Sequence, residues 1–190
     1  MQWTISNQLT VARVALIPLL IITFIFLPSP WNHYITAFIF ALAGFTDWLD
    51  GYLARSRGET TAFGRFLDPV ADKLLVATAL VLLIEGNYAP AILAIIIIGR
   101  EITIGALREW LAEYSSIIVH VSAMGKWKTA MQMCAIEALF LHVEVLNFDM
   151  HQAGLILLWL ASILTLWSGY EYLRGAWPEL KAGNQTKDSS

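Results

Sequence analysis

The chain has 190 residues, of which 57% are hydrophobic and 14% charged, whereas a soluble domain carries about 25% charged residues. So little polar surface cannot cover a fold of this size in water. A formal net charge of -3 offers no basic face to nucleic acid, and the single Cys134, inside an apolar run, implies no disulfide.

A bilayer crossing takes about 20 apolar residues, and six such runs follow one another. The first, Val11 to Leu27, is preceded by residues with no basic cluster and followed by no cleavage-site pattern, so it is expected to be retained rather than removed as a leader. The others are Tyr34 to Ala54, Phe63 to Ile84, Ala89 to Leu111, Ala123 to Val143 and Ala153 to Leu173. Eight tryptophans and six tyrosines supply the amphipathic rings that settle at membrane interfaces. The loops around Pro28, Ser29 and Pro30, around Glu85, Gly86 and Asn87, and from His142 to His151 contain no Lys or Arg; all twelve basic residues fall on or toward the opposite side. The positive-inside rule makes that side cytoplasmic. The expected fold is therefore all-α, a polytopic bundle of six transmembrane helices with both termini in the cytoplasm. Residues 1–181 form one transmembrane domain, and the polar stretch 182–190 is expected to be a flexible cytoplasmic tail. No repeat of solenoid length is present.

The chemistry concentrates between Thr46 and Lys73, where the second and third spans meet at the cytoplasmic face. Asp47 and Asp50 stand three residues apart and, with Gly51 and Ala54, share one helical face. Gly64, Asp68 and Asp72 recur every four residues, a step that drifts only about 40° around a helix, and so form a stripe at the start of the third span. Acidic stripes on two hairpin-connected helices can face each other. Four carboxylates so close would repel one another unless cations joined them. All-oxygen ligands, with no cysteine or paired histidine nearby, point to Mg²⁺ or Mn²⁺ rather than zinc. Two such ions about 4 Å apart can hold a diphosphate and stabilise a leaving oxygen. Gly51 and Gly64 leave room for a ligand or for close helix approach, Arg55 can reach a phosphate oxygen, and Pro69 either kinks the third helix or sits in its first turn. Acids placed so near a membrane are costly and usually functional.

Written by spacing, the segment is Asp47-x2-Asp50-Gly51-x2-Ala54-Arg55-x8-Gly64-x3-Asp68-x3-Asp72. It resembles, without a gap, the signature of the CDP-alcohol phosphotransferase family. The resemblance extends over nearly the whole chain to the branch whose acceptor is glycerol 3-phosphate. It is carried by Asn7 to Thr10 followed by Arg13, by Gly99 to Ile102 with Ala106 to Trp110, and by Gly125 to Thr129. It implies an enzyme that transfers a phosphatidyl group from CDP-diacylglycerol and releases CMP. Asp47, Asp50, Asp68 and Asp72 would bind two ions of Mg²⁺ or Mn²⁺, with Asp72 also accepting the proton. Asn7, Thr10, Gly51, Arg55 and Thr61 would contact CDP-diacylglycerol. The resemblance also implies a homodimer in a bacterial inner membrane with its site on the cytoplasmic side.

An acceptor that carries its own phosphate needs cations, and Arg100, Arg108, Lys126 and Lys128 are the candidates. The alternative role for the lysines is interfacial anchoring. Arg100 lies about 12 Å along the helix from Arg108, deeper in the membrane, and needs a partner. Glu101 follows it on a different face, which leaves Glu137 as another possibility. Rival functions fit less well. A membrane prenyltransferase carries two separated aspartate motifs and more spans, and an ion or proton transporter needs acids at the bilayer midplane rather than clustered at one face. Other acceptors in the same family, such as inositol phosphate or serine, remain alternatives.

Overall fold

The computed structural model describes residues 5–57, 62–114, 124–142, 144–145 and 148–185. Six helices account for nearly all of them: α1 (Ile5–Phe26), α2 (Trp31–Arg57), α3 (Ala62–Glu85), α4 (Ala91–Tyr114), α5 (Met124–Leu141) and α6 (Met150–Gln185). Each overlaps one predicted span, with ends that differ by a few residues or, in α1 and α6, more, and the ends show what sets the boundaries. Asn87 (φ 59°) and His142 (φ 41°) take the left-handed conformation just past α3 and α5, the usual way of stopping a helix while satisfying its last carbonyls. Two features depart from expectation. A two-residue antiparallel ladder, β1 (Glu144–Val145) with β2 (Phe148–Asp149), occupies the loop before α6; strands so short leave no alternation to read. Helix α6 also continues to Gln185, into the stretch expected to be a tail, and residues 186–190 lie outside the described residues.

Helix α1 packs on α2 and α3, α5 on α6 and α2, and α4 on α6 and α3. The main core runs through the bundle and includes Leu20, Phe40, Leu83, Ile97, Leu139 and Leu158, all nearly inaccessible. A smaller cluster of Ile104, Leu111, Tyr172 and Ala176 joins α4 to α6. Small residues permit the closest contact: a Cβ added at Gly154 on α6 would lie 2.8 Å from Leu139 Cγ and 3.1 Å from the Leu139 backbone nitrogen. Polar residues inside the bundle bond between helices, as Thr23 on α1 does with Thr36 on α2 at 3.2 Å.

The outward faces are as apolar as the core. Leu19, Ile22, Phe38, Val81, Ile95 and Ile163 are all exposed, a surface that water would not tolerate over such an area. Among the described residues, Asn7–Phe26 and Met150–Pro178 are long and apolar enough to cross a membrane by length and composition alone. The acids of α2 and α3 and the charges of α4 lower the hydropathy of those helices without shortening them.

At the end of the bundle bearing the three Lys- and Arg-free loops, rings from four elements gather. Tyr88 lies 4.6 Å from His142 and 5.6 Å from His33 between centroids, and His142 lies 4.8 Å from His151. The opposite end holds the aspartates.

Candidate active site

Thr10 and Arg13 stand three positions apart, so both project from the same side of α1, and both are fully buried. That side meets the acidic ends of α2 and α3. The Thr10 hydroxyl oxygen lies 2.5 Å from Asp68 Oδ1 and 3.2 Å from Asp50 Oδ2. Arg13 Nη1 lies 2.9 Å from Asp47 Oδ1 and 3.7 Å from Asp72 Oδ1, and Nη2 lies 3.9 Å from Asp50 Oδ2. Two side chains of α1 thus tie together all four aspartates from two other helices. Asp50 is buried, whereas the Asp47 and Asp72 side chains keep 45% and 51% of their surface open, which leaves the site accessible from one direction. Asn7, one turn before Thr10, is buried too; Gly64 is buried and Gly51 exposed. Helix α3 begins at Ala62, so Pro69 is an interior proline rather than a first-turn one, and the carbonyl of residue 65 lacks its helical donor.

Arg13 is a residue to which sequence reasoning gave no role in the site, although it stands among the basic residues of the cytoplasmic side and among those that carry the family resemblance. The signal was present. An arginine inside the first span, in step with Asn7 and Thr10, is a charge that needs partners at that depth.

The acids are thus gathered on Arg13 and Thr10. Among the described residues, no group of three or more His, Cys, Asp or Glu side chains is arranged to hold a metal ion as it stands. The donor set nevertheless suits hard divalent cations: three of the four carboxylates share one guanidinium and the fourth, Asp68, accepts from the Thr10 hydroxyl, leaving excess negative charge, and every donor is oxygen. Asp47, Asp50, Asp68 and Asp72 are the residues that would hold them.

Beside Asp72, a cavity of about 350 Å³ opens between α3, α4 and α5. Asp72, Lys73, Glu101, Arg108 and Thr129 line its charged and polar part. Of the four cations expected at the acceptor phosphate, Arg108 lines this cavity, with its guanidinium carbon 5.9 Å from the centre of the Tyr172 ring. Lys128 is buried and paired with Glu101. Arg100 is turned toward α6, where Nη2 donates to Ser168 Oγ at 3.2 Å. Its Nη1 lies 3.7 Å from Glu101, so the flexible side chains meet although their Cα positions point apart. Glu137 does not serve as its partner, and Glu137 Oε2 is buried without a hydrogen bond. Lys73, passed over in the sequence, also lines the cavity; Gly105 makes room for it, since a Cβ there would overlap the Lys73 ammonium. The side chains of Arg55 and Lys126, and all of Thr61, lie outside the described residues.

The fold and this site define a helical enzyme class in which clustered carboxylates sit at the end of an apolar bundle beside a cation-lined cavity. The chain belongs to the CDP-alcohol phosphatidyltransferase family, whose pattern it matches over residues 3–167. It is 50% identical, over 93% of its length and 95% of the relative's, to the CDP-diacylglycerol–glycerol-3-phosphate 3-phosphatidyltransferase of Haemophilus influenzae. Proteins of the same name from Pseudomonas fluorescens and Salmonella choleraesuis are 48% and 46% identical over 93% of this chain, which covers 92% and 96% of them.

Proposed function

We propose that the protein transfers the phosphatidyl group of CDP-diacylglycerol to glycerol 3-phosphate, giving phosphatidylglycerol phosphate and CMP, with Mg²⁺ or Mn²⁺ at Asp47, Asp50, Asp68 and Asp72. The observation that carries this is the gathering of the four signature aspartates beside a cavity lined by Arg108 and Lys73. High identity to phosphatidyltransferases over nearly the full chain supports the choice of acceptor. The protein is an integral membrane enzyme of six spans in a bacterial inner membrane, with its site and both termini on the cytoplasmic side. The exposed apolar faces and the distribution of basic residues support that topology. Family resemblance adds the expectation of a homodimer.

The phosphate of the acceptor is held by Arg108 and Lys73, with Lys128 behind them on Glu101, through charge-assisted hydrogen bonds. This places a primary hydroxyl of glycerol 3-phosphate at Asp72. Its oxygen bonds to the phosphorus that bears diacylglycerol, its proton passes to the Asp72 carboxylate, and the bond from that phosphorus to the bridging oxygen breaks. CMP departs with the electron pair. Bound divalent cations supply neutralisation of the diphosphate and of the leaving oxygen. Family resemblance assigns contact with the CDP-diacylglycerol head to Asn7, Thr10, Gly51, Arg55 and Thr61.

Purified protein in nanodiscs, given CDP-diacylglycerol and a panel of acceptors, tests this. CMP should appear with glycerol 3-phosphate, stop in EDTA and return with Mg²⁺ or Mn²⁺. Turnover with serine or inositol phosphate in place of glycerol 3-phosphate would reassign the acceptor, and full turnover in EDTA would remove the metal.

A further inference from the structure

Gln132 lies on α5 one turn beyond Lys128 and on the same face. It is only 3% exposed, it lines the cavity beside Asp72, and its Oε1 is buried without a hydrogen-bond partner. Val76, Ala77, Ile97 and Ile98 of the same lining offer no side-chain donor, and none of its polar side chains bonds Gln132 Oε1. A buried acceptor oxygen left unpaired carries the full desolvation cost of that oxygen, and sites that leave one are built around a ligand or a water. Phosphate and carboxylate oxygens cannot satisfy it, because they too are acceptors. A neutral hydroxyl can.

We propose that Gln132 Oε1 accepts a hydrogen bond from the hydroxyl of the acceptor that does not react, and so determines specificity for a polyol phosphate over a simple hydroxyalkyl phosphate. This rests on the reading of the cavity as the acceptor site. Glycerol 3-phosphate offers three polar ends: a phosphate for Arg108 and Lys73, a primary hydroxyl for Asp72, and a middle hydroxyl. The cavity offers three matching places, of which the third belongs to Gln132. A site made to bond a hydroxyl rejects the analogue that lacks it, because its own polar group is then stranded.

The test compares glycerol 3-phosphate with 3-hydroxypropyl phosphate, the same carbon chain without the middle hydroxyl, in wild type and in Gln132→Met. Methionine has nearly the length and flexibility of glutamine without the acceptor oxygen. In wild type, kcat/KM for 3-hydroxypropyl phosphate should be about tenfold below that for glycerol 3-phosphate, the worth of one hydrogen bond. Gln132→Met should lose about tenfold with glycerol 3-phosphate and change little with the analogue, collapsing the discrimination. The KM for CDP-diacylglycerol should stay where it was. A wild-type enzyme that uses both acceptors equally, or a variant that loses equally on both, overturns the assignment. If Gln132→Met does not accumulate, the wild-type comparison decides alone. Wild type that ignores both compounds but uses a different alcohol refutes the acceptor cavity itself, an outcome distinct from failure of Gln132.

Discussion

Replacing Arg13 by glutamine should destabilise the metal-free protein and make its stability depend on divalent cations more than the wild type's does. The guanidinium is fully buried and lies 2.9, 3.7 and 3.9 Å from carboxylates of Asp47, Asp72 and Asp50. A single such pair at about 4 Å is worth about 4 kcal/mol at an effective dielectric of 20. Asp47 and Asp72 are half open to solvent and contribute less than that. Asp50 is buried, and removing one partner of a buried pair typically costs about 3 to 5 kcal/mol. Taking about 3 kcal/mol, and about 2 to 4 °C per kcal/mol for a chain of this size, Tm in EDTA should fall by about 6 to 12 °C. Mg²⁺ or Mn²⁺ should recover much of that loss, because cations bound to the native state alone replace the missing charge. The assay is thermal unfolding of both proteins in one detergent, with EDTA and with a titration of Mn²⁺. A variant as stable as wild type in EDTA, or one whose Tm rises with Mn²⁺ no more than the wild type's, would show that Arg13 does not balance these acids.

Asp72→Asn keeps the shape but not the base, so kcat should fall by at least about a hundredfold while CDP-diacylglycerol binding, followed by calorimetry, stays near wild type. Arg108→Ala should lower kcat/KM for glycerol 3-phosphate by about ten- to a hundredfold, the worth of one charge-assisted bond. In two-substrate kinetics the KM for CDP-diacylglycerol should move far less, and equal effects on both substrates would count against an acceptor role. Gly154→Ala places a Cβ 2.8 Å from Leu139 Cγ and should cost about 1 to 3 kcal/mol by forcing α5 from α6, read as a lower Tm with kcat little changed in the folded fraction. His33 precedes its apolar span, and burial, reinforced by the neighbouring His142, lowers its pKa from the usual value. The unfolded chain then takes up the proton first, so this contribution to stability is present above about pH 6.5 and is lost as pH falls toward the lowered value. Tm measured between pH 7.5 and 5.5 should decline less steeply in His33→Phe than in wild type.

Periodicity and charge placement made six helices legible, because an apolar run of span length admits few alternatives once the loops are marked by Asn87, Gly86 and the Lys- and Arg-free stretches. The two acidic stripes were legible for the same reason: i,i+3 and i,i+4 spacing fixes which residues share a face whatever the helix packs against. What α1 contributes was not. Thr10 and Arg13 meet their partners through packing of α1 on α2 and α3, a contact between residues some 35 to 60 positions apart; a buried arginine signals that partners are needed, but nothing local says which acids they are. Likewise the sequence sets Arg100 deeper than Arg108 and gives it a need for a partner without fixing which; in the structure Arg100 bonds Ser168 on α6 whereas Arg108 lines a cavity. Gln132 carried no signal at all, since an amide on a helix face is informative only when its surroundings are known to be apolar.

Helix α3 is the element on which the proposed chemistry depends most. Its Asp68 and Asp72 face α1, where Thr10 and Arg13 hold them against the aspartates of α2, and Asp72 and Lys73 also border the cavity shared with α4 and α5. A donor whose acyl chains remain in the bilayer and an acceptor that arrives from water must reach one phosphorus from different directions. A single helix with an aspartate-bearing face and a cavity-facing flank would meet that need, and Asp72, half open and common to both, stands where the two meet. The geometry also accounts for the charge inventory. Arg13 balances the aspartates, Arg108 and Lys73 line the cavity that would take the acceptor phosphate, and Glu101 pairs with Lys128. Cations placed on only one side would leave either the aspartates or the incoming phosphate uncompensated in a site partly removed from water, and a charge so left costs several kcal/mol.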